Sequence, residues 1–196
     1  MIEIIAFTVA AIALLGSPGP AIAAILAVGK RDGWTGGVRF FAGLQVGLAS
    51  AAAITAAGLF AIISTSEMLL LSMSILATAY LVYLSYKIAS TPVGDNSETS
   101  GQGSSVAAGV FLGLTNPKAY LAFASLLASF TLVKNDLFLD GFSKWTVIVM
   151  VMIVVDWIWL WIGVRLGKLD LSASQERVMN VVLGLTVLLA AVLAWT

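Results

Sequence analysis

The sequence contains no cysteine and no histidine. Disulfides, Cys- or His-ligated metal sites, covalently attached c-type haem and thiol electron relays are therefore excluded within this chain. The commonest general base is missing as well, and with no nucleophile-elbow motif an intramembrane enzyme is a poor fit. Charge is scarce: ten basic and ten acidic residues among 196, a net charge of zero. A soluble domain carries about a quarter charged residues, against ten per cent here. A cation site built from carboxylates alone has few acidic residues at membrane depth to draw on. No metal, cofactor or nucleic-acid partner is expected. Proline is limited to four residues, and three of them fall in two short segments.

Hydrophobic residues make up 60% of the chain, and the mean hydropathy is +1.04. Membrane lipid is the expected surrounding. Six stretches approach or exceed the roughly 20 apolar residues needed to cross the hydrocarbon core. They lie near Ile4–Val28, Val38–Ile63, Met68–Ile88, Val106–Val133, Trp145–Leu166 and Val178–Trp195. The runs are too long and too evenly apolar for the alternating strands of a membrane barrel. The start, Met1-Ile2-Glu3, lacks the basic residues of a secretory signal, so the first stretch is read as a retained helix. The expected fold is thus an all-α membrane protein of six transmembrane helices.

The basic residues give an orientation. Lys30, Arg31, Arg39, Lys87, Arg165, Lys168 and Arg177 flank the connections 1–2, 3–4 and 5–6, whereas only Lys134 and Lys144 lie on the other side. By the positive-inside rule both termini face away from the cytoplasm. The longest polar connection, Ser90–Ser105, is rich in Gly, Ser and acidic residues and reads as a mobile cytoplasmic linker. It divides a single transmembrane domain into half-repeats 1–89 and 106–196. Three spans per half reverse the direction of the second, which predicts a 3+3 inverted repeat. The outer segment Lys134–Phe142 reads as a connection along the interface.

Two segments break their helices alike. Leu15-Gly16-Ser17-Pro18-Gly19-Pro20 and Leu112-Gly113-Leu114-Thr115-Asn116-Pro117 align with an offset of 97 residues. A proline in a helix lacks a donor and frees the carbonyl four residues earlier, here Gly16 or Gly113. Matching interruptions in two halves point to a transport site at the repeat interface, with helices 1 and 4 broken near the midplane. Asn116 is placed to cap the helix restarting at Pro117, and Ser17 or Gly19 the helix restarting in the first span. Each restart aims unpaired N–H groups and a positive dipole end at the midplane. Donors for an anion beside freed carbonyls for a cation suit an amino-acid zwitterion. The plainer reading is two kinks that serve packing only.

Two charges lie deep: Asp156 in the fifth span and Lys118 after the second break. Each costs about 2.5–3.5 kcal/mol at a helix centre, so such residues face a cavity or a partner. They either neutralise one another in a structural salt bridge, or Asp156 exchanges a proton or binds the substrate ammonium while Lys118 draws the carboxylate. Gln45, about two turns into the second span beside Gly43 and Gly47, reads as a substrate ligand or an interhelical hydrogen bond. The candidate binding residues are Ser17, Pro18, Gly19, Pro20, Gln45, Asn116, Pro117, Lys118 and Asp156, with Asp156 also the candidate for proton coupling. Gly43/Gly47, Gly109/Gly113 and Gly163/Gly167 have the small-xxx-small spacing of helix-packing faces and are compatible with self-association into a homo-oligomer. Trp145 and Trp195 read as interfacial anchors.

Ser17-Pro18-Gly19-Pro20, the run Tyr80-Leu81-Val82-Tyr83-Leu84-Ser85-Tyr86-Lys87, Thr115-Asn116-Pro117-Lys118 and Asp156-Trp157-Ile158-Trp159 together resemble the lysine-exporter (LysE/RhtB-type) family. The resemblance runs over essentially the whole chain. It implies a bacterial cytoplasmic-membrane exporter of amino acids or close derivatives driven by an ion gradient, with functional positions at Pro18-Gly19-Pro20 and Asn116-Pro117-Lys118. Many members carry an acidic residue after the second glycine of span two, where this chain has Leu48. Export of another small solute or cation, and a passive channel, are the alternatives.

Overall fold

The computed structural model describes residues 2–17, 19–58, 66–90, 105–169 and 171–193. Residues 91–104 of the expected linker 90–105, Pro18 and Trp195 lie outside the described residues. Every regular element among the described residues is helical: α1 (Ile2–Leu15), α2 (Pro20–Ala56), α3 (Glu67–Ala89), α4 (Val106–Thr115), α5 (Pro117–Ser129), α6 (Leu137–Leu166) and α7 (Ala173–Leu193).

Local chemistry accounts for most boundaries. α1 stops where Gly16 begins the first break, and α2 restarts with Pro20 at its first position, where the missing N–H costs nothing. Ser105 opens α4 by accepting a hydrogen bond from the Ala108 N–H at 3.1 Å, and Asp136 opens α6 by accepting from Leu139 N–H at 2.9 Å. α4 and α5 meet at Asn116 with a bend of 57°.

Two boundaries differ from the sequence reading. Residues 29–37, expected as a loop between spans one and two, are helical apart from a bend at Gly33, whose φ of 62° and ψ of −153° suit a residue without a Cβ. No proline follows, so the helix resumes at once. Lys134–Phe142, expected as an interfacial connection, is helical from Leu137 onward. Asp140 and Lys144 there form a buried ion pair at 2.6 Å. Asp140 also accepts from the Leu132 and Val133 N–H groups, and Lys144 donates to the Leu127 carbonyl, so the pair fastens the end of α5 to the start of α6.

α2 packs chiefly on α6 and α4, while α3 packs on α7. The α2 seams are made by glycine. A Cβ on Gly29 would stand 2.9 Å from the Leu160 carbonyl oxygen, and one on Gly47 would stand 2.5 Å from the Val110 carbonyl oxygen. Cβ atoms on Gly43, Gly109, Gly163 and Gly167 would likewise run into the facing backbone. Such approach lets backbones touch where lipid supplies no hydrophobic drive. Between the seams Phe7, Phe40, Leu44, Phe123 and Leu160 are fully buried. Val46, Leu121, Val154 and Leu185 are exposed on the outside, as in a protein surrounded by lipid. Trp145 turns inward enough to donate to the Ala49 carbonyl at 2.9 Å. The molecule is an all-helical, multi-pass membrane protein. α2 and α6 are each long and apolar enough to cross a bilayer, and α4 with α5 qualifies as one bent span.

Candidate functional site

The two breaks lie side by side. The Lys118 ammonium, one residue into α5, donates to the Ser17 carbonyl oxygen at 3.0 Å and to Ser17 Oγ at 2.9 Å, across 101 positions of sequence. Ser17 Oγ in turn donates to the Leu14 carbonyl at 2.8 Å. One carbonyl that the first break strips of its helical partner is thus taken up by a cation from the second. Gly19 makes the approach feasible, because a Cβ there would stand 2.8 Å from both Lys118 Cδ and Nζ. Its own φ of −168° is ordinary extended backbone, so the requirement is for space.

Asn116 occupies the N-cap position of α5 but makes no side-chain capping bond. Its backbone carbonyl accepts from Ala119 N–H at 3.1 Å and Tyr120 N–H at 3.4 Å. Its Oδ1 is buried without a hydrogen-bond partner among the described residues. An unpaired buried carbonyl of this kind costs about 1–3 kcal/mol and needs a reason. The capping role read from the sequence is therefore corrected: the position is right, but the amide oxygen is spare.

Asp156 comes from α6, at 4% exposure. Gln45 Nε2 donates to Asp156 Oδ2 at 2.7 Å, and Gln45 Oε1 is a second buried oxygen without a partner among the described residues. The salt bridges among the described residues join Arg31 to Asp32 and Lys144 to Asp140, and none joins Lys118 to Asp156. Of the two arrangements the sequence left open for those charges, mutual neutralisation is not the one present. Instead Lys118 donates to Ser17 and Asp156 accepts from Gln45.

A cavity of about 40 Å³ lies between these groups. Ser17, Gly19, Pro20, Asn116, Lys118 and Asp156 all line it, so six of the nine candidate residues are brought to one place. Gln45 reaches it only through Asp156, Pro117 stands outside its lining, and Pro18 lies outside the described residues. Ala21 and Ile22 present the first turn of α2, whose N–H groups have no acceptor within the helix. Chemically this is a small chamber lined by an ammonium, the N–H donors of a helix start, the Asp156 carboxylate, the Asn116 amide and the Ser17 hydroxyl, with Gln45 behind Asp156.

Part of the lining went unrecognised in the sequence. Leu48, Phe123 and Met152 form an apolar flank. Met152 lies one turn before Asp156 and Leu48 one turn after Gln45, so helical periodicity carried a signal for both. The bond from Lys118 to Ser17 had no sequence signal.

Comparison with known families adds one finding. The model of the family described as LysE type translocator matches residues 12–196, nearly the whole chain. No solved structure matches the chain.

Proposed function

The chain belongs to the LysE type translocator family, and from that premise we propose that it is a secondary exporter of amino acids or close derivatives. It works by proton antiport and alternating access in the bacterial cytoplasmic membrane, with both termini outside. The observation that carries this reading is the meeting of two interrupted helices at one chamber, joined by Lys118 and Ser17 and faced by Asp156. The substrate carboxylate takes the wall formed by the α2 N-terminus and Lys118, where positive dipole and ammonium coincide. The substrate ammonium takes the wall of Asp156 and the spare oxygen of Asn116. Proton exchange at Asp156 alternates with binding of that ammonium, which links export to proton entry.

The fold is read as a six-span inverted repeat whose long helices meet along two glycine seams. Residues 20–32 lie against α6 through Gly29, Gly163 and Gly167, while α4 lies against residues 34–56 through Gly109, Gly43 and Gly47. With the termini outside, both glycine seams fall on the cytoplasmic side of the breaks. Ties from Lys30 to Asn180 and from Arg177 to the Ala89 carbonyl lie there too. Leu14, Ala122 and Phe123, lining the chamber, belong to the outer half-helices. The conformation is thus one sealed toward the cytoplasm, and uptake of cargo requires the glycine seams to part.

The test is amino-acid counterflow and proton-driven accumulation by the purified protein in liposomes. Wild type exchanges substrate saturably and accumulates it when a proton gradient is imposed. Asp156→Asn keeps a partner for Gln45, folds, and loses accumulation. Full proton-coupled accumulation by Asp156→Asn overturns the coupling role. A flux that does not saturate identifies a channel instead.

A further inference from the structure

Resting on the zwitterion reading above, we infer that the exported substrate is a neutral amino acid with an apolar side chain, recognised by Leu48, Ala122, Phe123 and Met152. Among the described residues the chamber is lined by two ionisable side chains, Lys118 and Asp156. A zwitterion occupies both, the carboxylate at Lys118 and the ammonium at Asp156. The spare oxygen of Asn116 serves the α-amino end, and the Ser17 hydroxyl is already held by Lys118 and the Leu14 carbonyl, so the described lining offers no further polar group to a side chain. Beyond these groups stand Leu48 and Met152 from the two long helices and Ala122 and Phe123 from α5. Leu48 is 4% exposed, Met152 3%, and Phe123 fully buried, so a charge placed among them meets apolar side chains.

A lysine or arginine side chain would carry its cation into this flank with no counter-charge, and a glutamate would carry an anion there. Burying an unpaired charge is among the most costly events in a protein interior, whereas an aliphatic or thioether side chain replaces water with like surface. Discrimination against charge is therefore built in by what the flank lacks. A hydroxyl is refused less strongly, since apolar pockets reject added hydroxyls poorly.

Liposome counterflow with labelled leucine, competed by valine, methionine, serine, lysine, arginine and glutamate, decides the matter. Valine and methionine compete with leucine, serine competes several-fold less well, and the three charged amino acids at least about tenfold less well. Leu48→Glu places a carboxylate in the flank and raises lysine exchange relative to leucine by about tenfold or more. Met152→Glu does the same from the other helix and covers the case in which the first variant does not fold. Leu48→Met, which conserves volume, leaves the preference unchanged. Wild type that exchanges lysine, arginine or glutamate as readily as leucine overturns this inference while the exporter reading stands. Absence of exchange with every amino acid overturns both.

Discussion

A methyl group at Gly109 measures how tightly the cytoplasmic seam is closed. An alanine Cβ at that position would stand 2.6 Å from Leu44 N and 3.0 Å from the Gly43 carbonyl carbon, with the Phe40 carbonyl nearer still. Comfortable contacts between heavy atoms lie at about 3.5–4.0 Å, so the two backbones must part by roughly 1 Å. All three obstructing groups are backbone, and no rotamer change relieves them. Overpacking of this kind costs about 1–3 kcal/mol, and the better helix propensity of alanine returns at most about 1 kcal/mol. The remainder, up to about 2 kcal/mol against the closed seam, shifts a closed-to-open ratio by up to about 30-fold. Because the chain has no cysteine, a single reporter introduced as Ala122→Cys reads the chamber cleanly. Labelling by a membrane-impermeant maleimide is compared from each face of oriented vesicles. In the Gly109→Ala background labelling from the outer face falls and labelling from the cytoplasmic face rises. Gly141→Ala, where an added Cβ meets nothing within 4 Å, leaves both rates as they were. A folded Gly109→Ala protein with unchanged labelling from both faces refutes the assignment of this seam to a cytoplasmic gate.

Two more predictions separate structural from functional roles. Asn116→Ala removes an N-cap residue that makes no capping bond and sheds a buried unpaired oxygen, so stability in detergent does not fall by the about 1 kcal/mol that loss of a bonded cap costs; counterflow by the same protein falls by about tenfold or more, and normal counterflow argues against Asn116 as a ligand. Asp140→Asn leaves Lys144 without its ion-pair partner at the α5–α6 junction, which costs about 2 kcal/mol, between an exposed and a fully buried pair. The midpoint drops by about 4–8 °C with transport specificity intact, and Lys144→Met added to it recovers part of the loss.

What could be read along the chain was local or compositional. The membrane setting follows from 60% hydrophobic residues and few charges, since no water-soluble core accommodates such runs. The interruptions at Ser17–Pro20 and Asn116–Pro117 are legible because proline removes a backbone donor wherever it stands. The glycine pairs announced close packing through their spacing, and the contacts of Gly43, Gly109 and Gly163 bear that out. The bend at Gly33 was less legible, since Asp32-Gly33 in a polar stretch suits a loop as well as a helix that resumes immediately.

Tertiary structure alone decided who partners whom. Lys118 and Asp156 looked equally suited to each other on paper, yet Lys118 bonds Ser17 and Asp156 bonds Gln45, 111 positions away. Likewise, Asp140 and Lys144 sit one helical turn apart, but only the packed end of α5 gives them the Leu127, Leu132 and Val133 backbone groups to hold. The composition of the chain and its prolines determined by themselves that it is helical, lipid-embedded and broken in two places, because those properties depend on a residue and its near neighbours. The pairing of its few polar groups, and the apolar flank that Leu48 and Met152 give the chamber, were decided only when distant helices came within a few ångströms, since short-range forces act on neighbours in space.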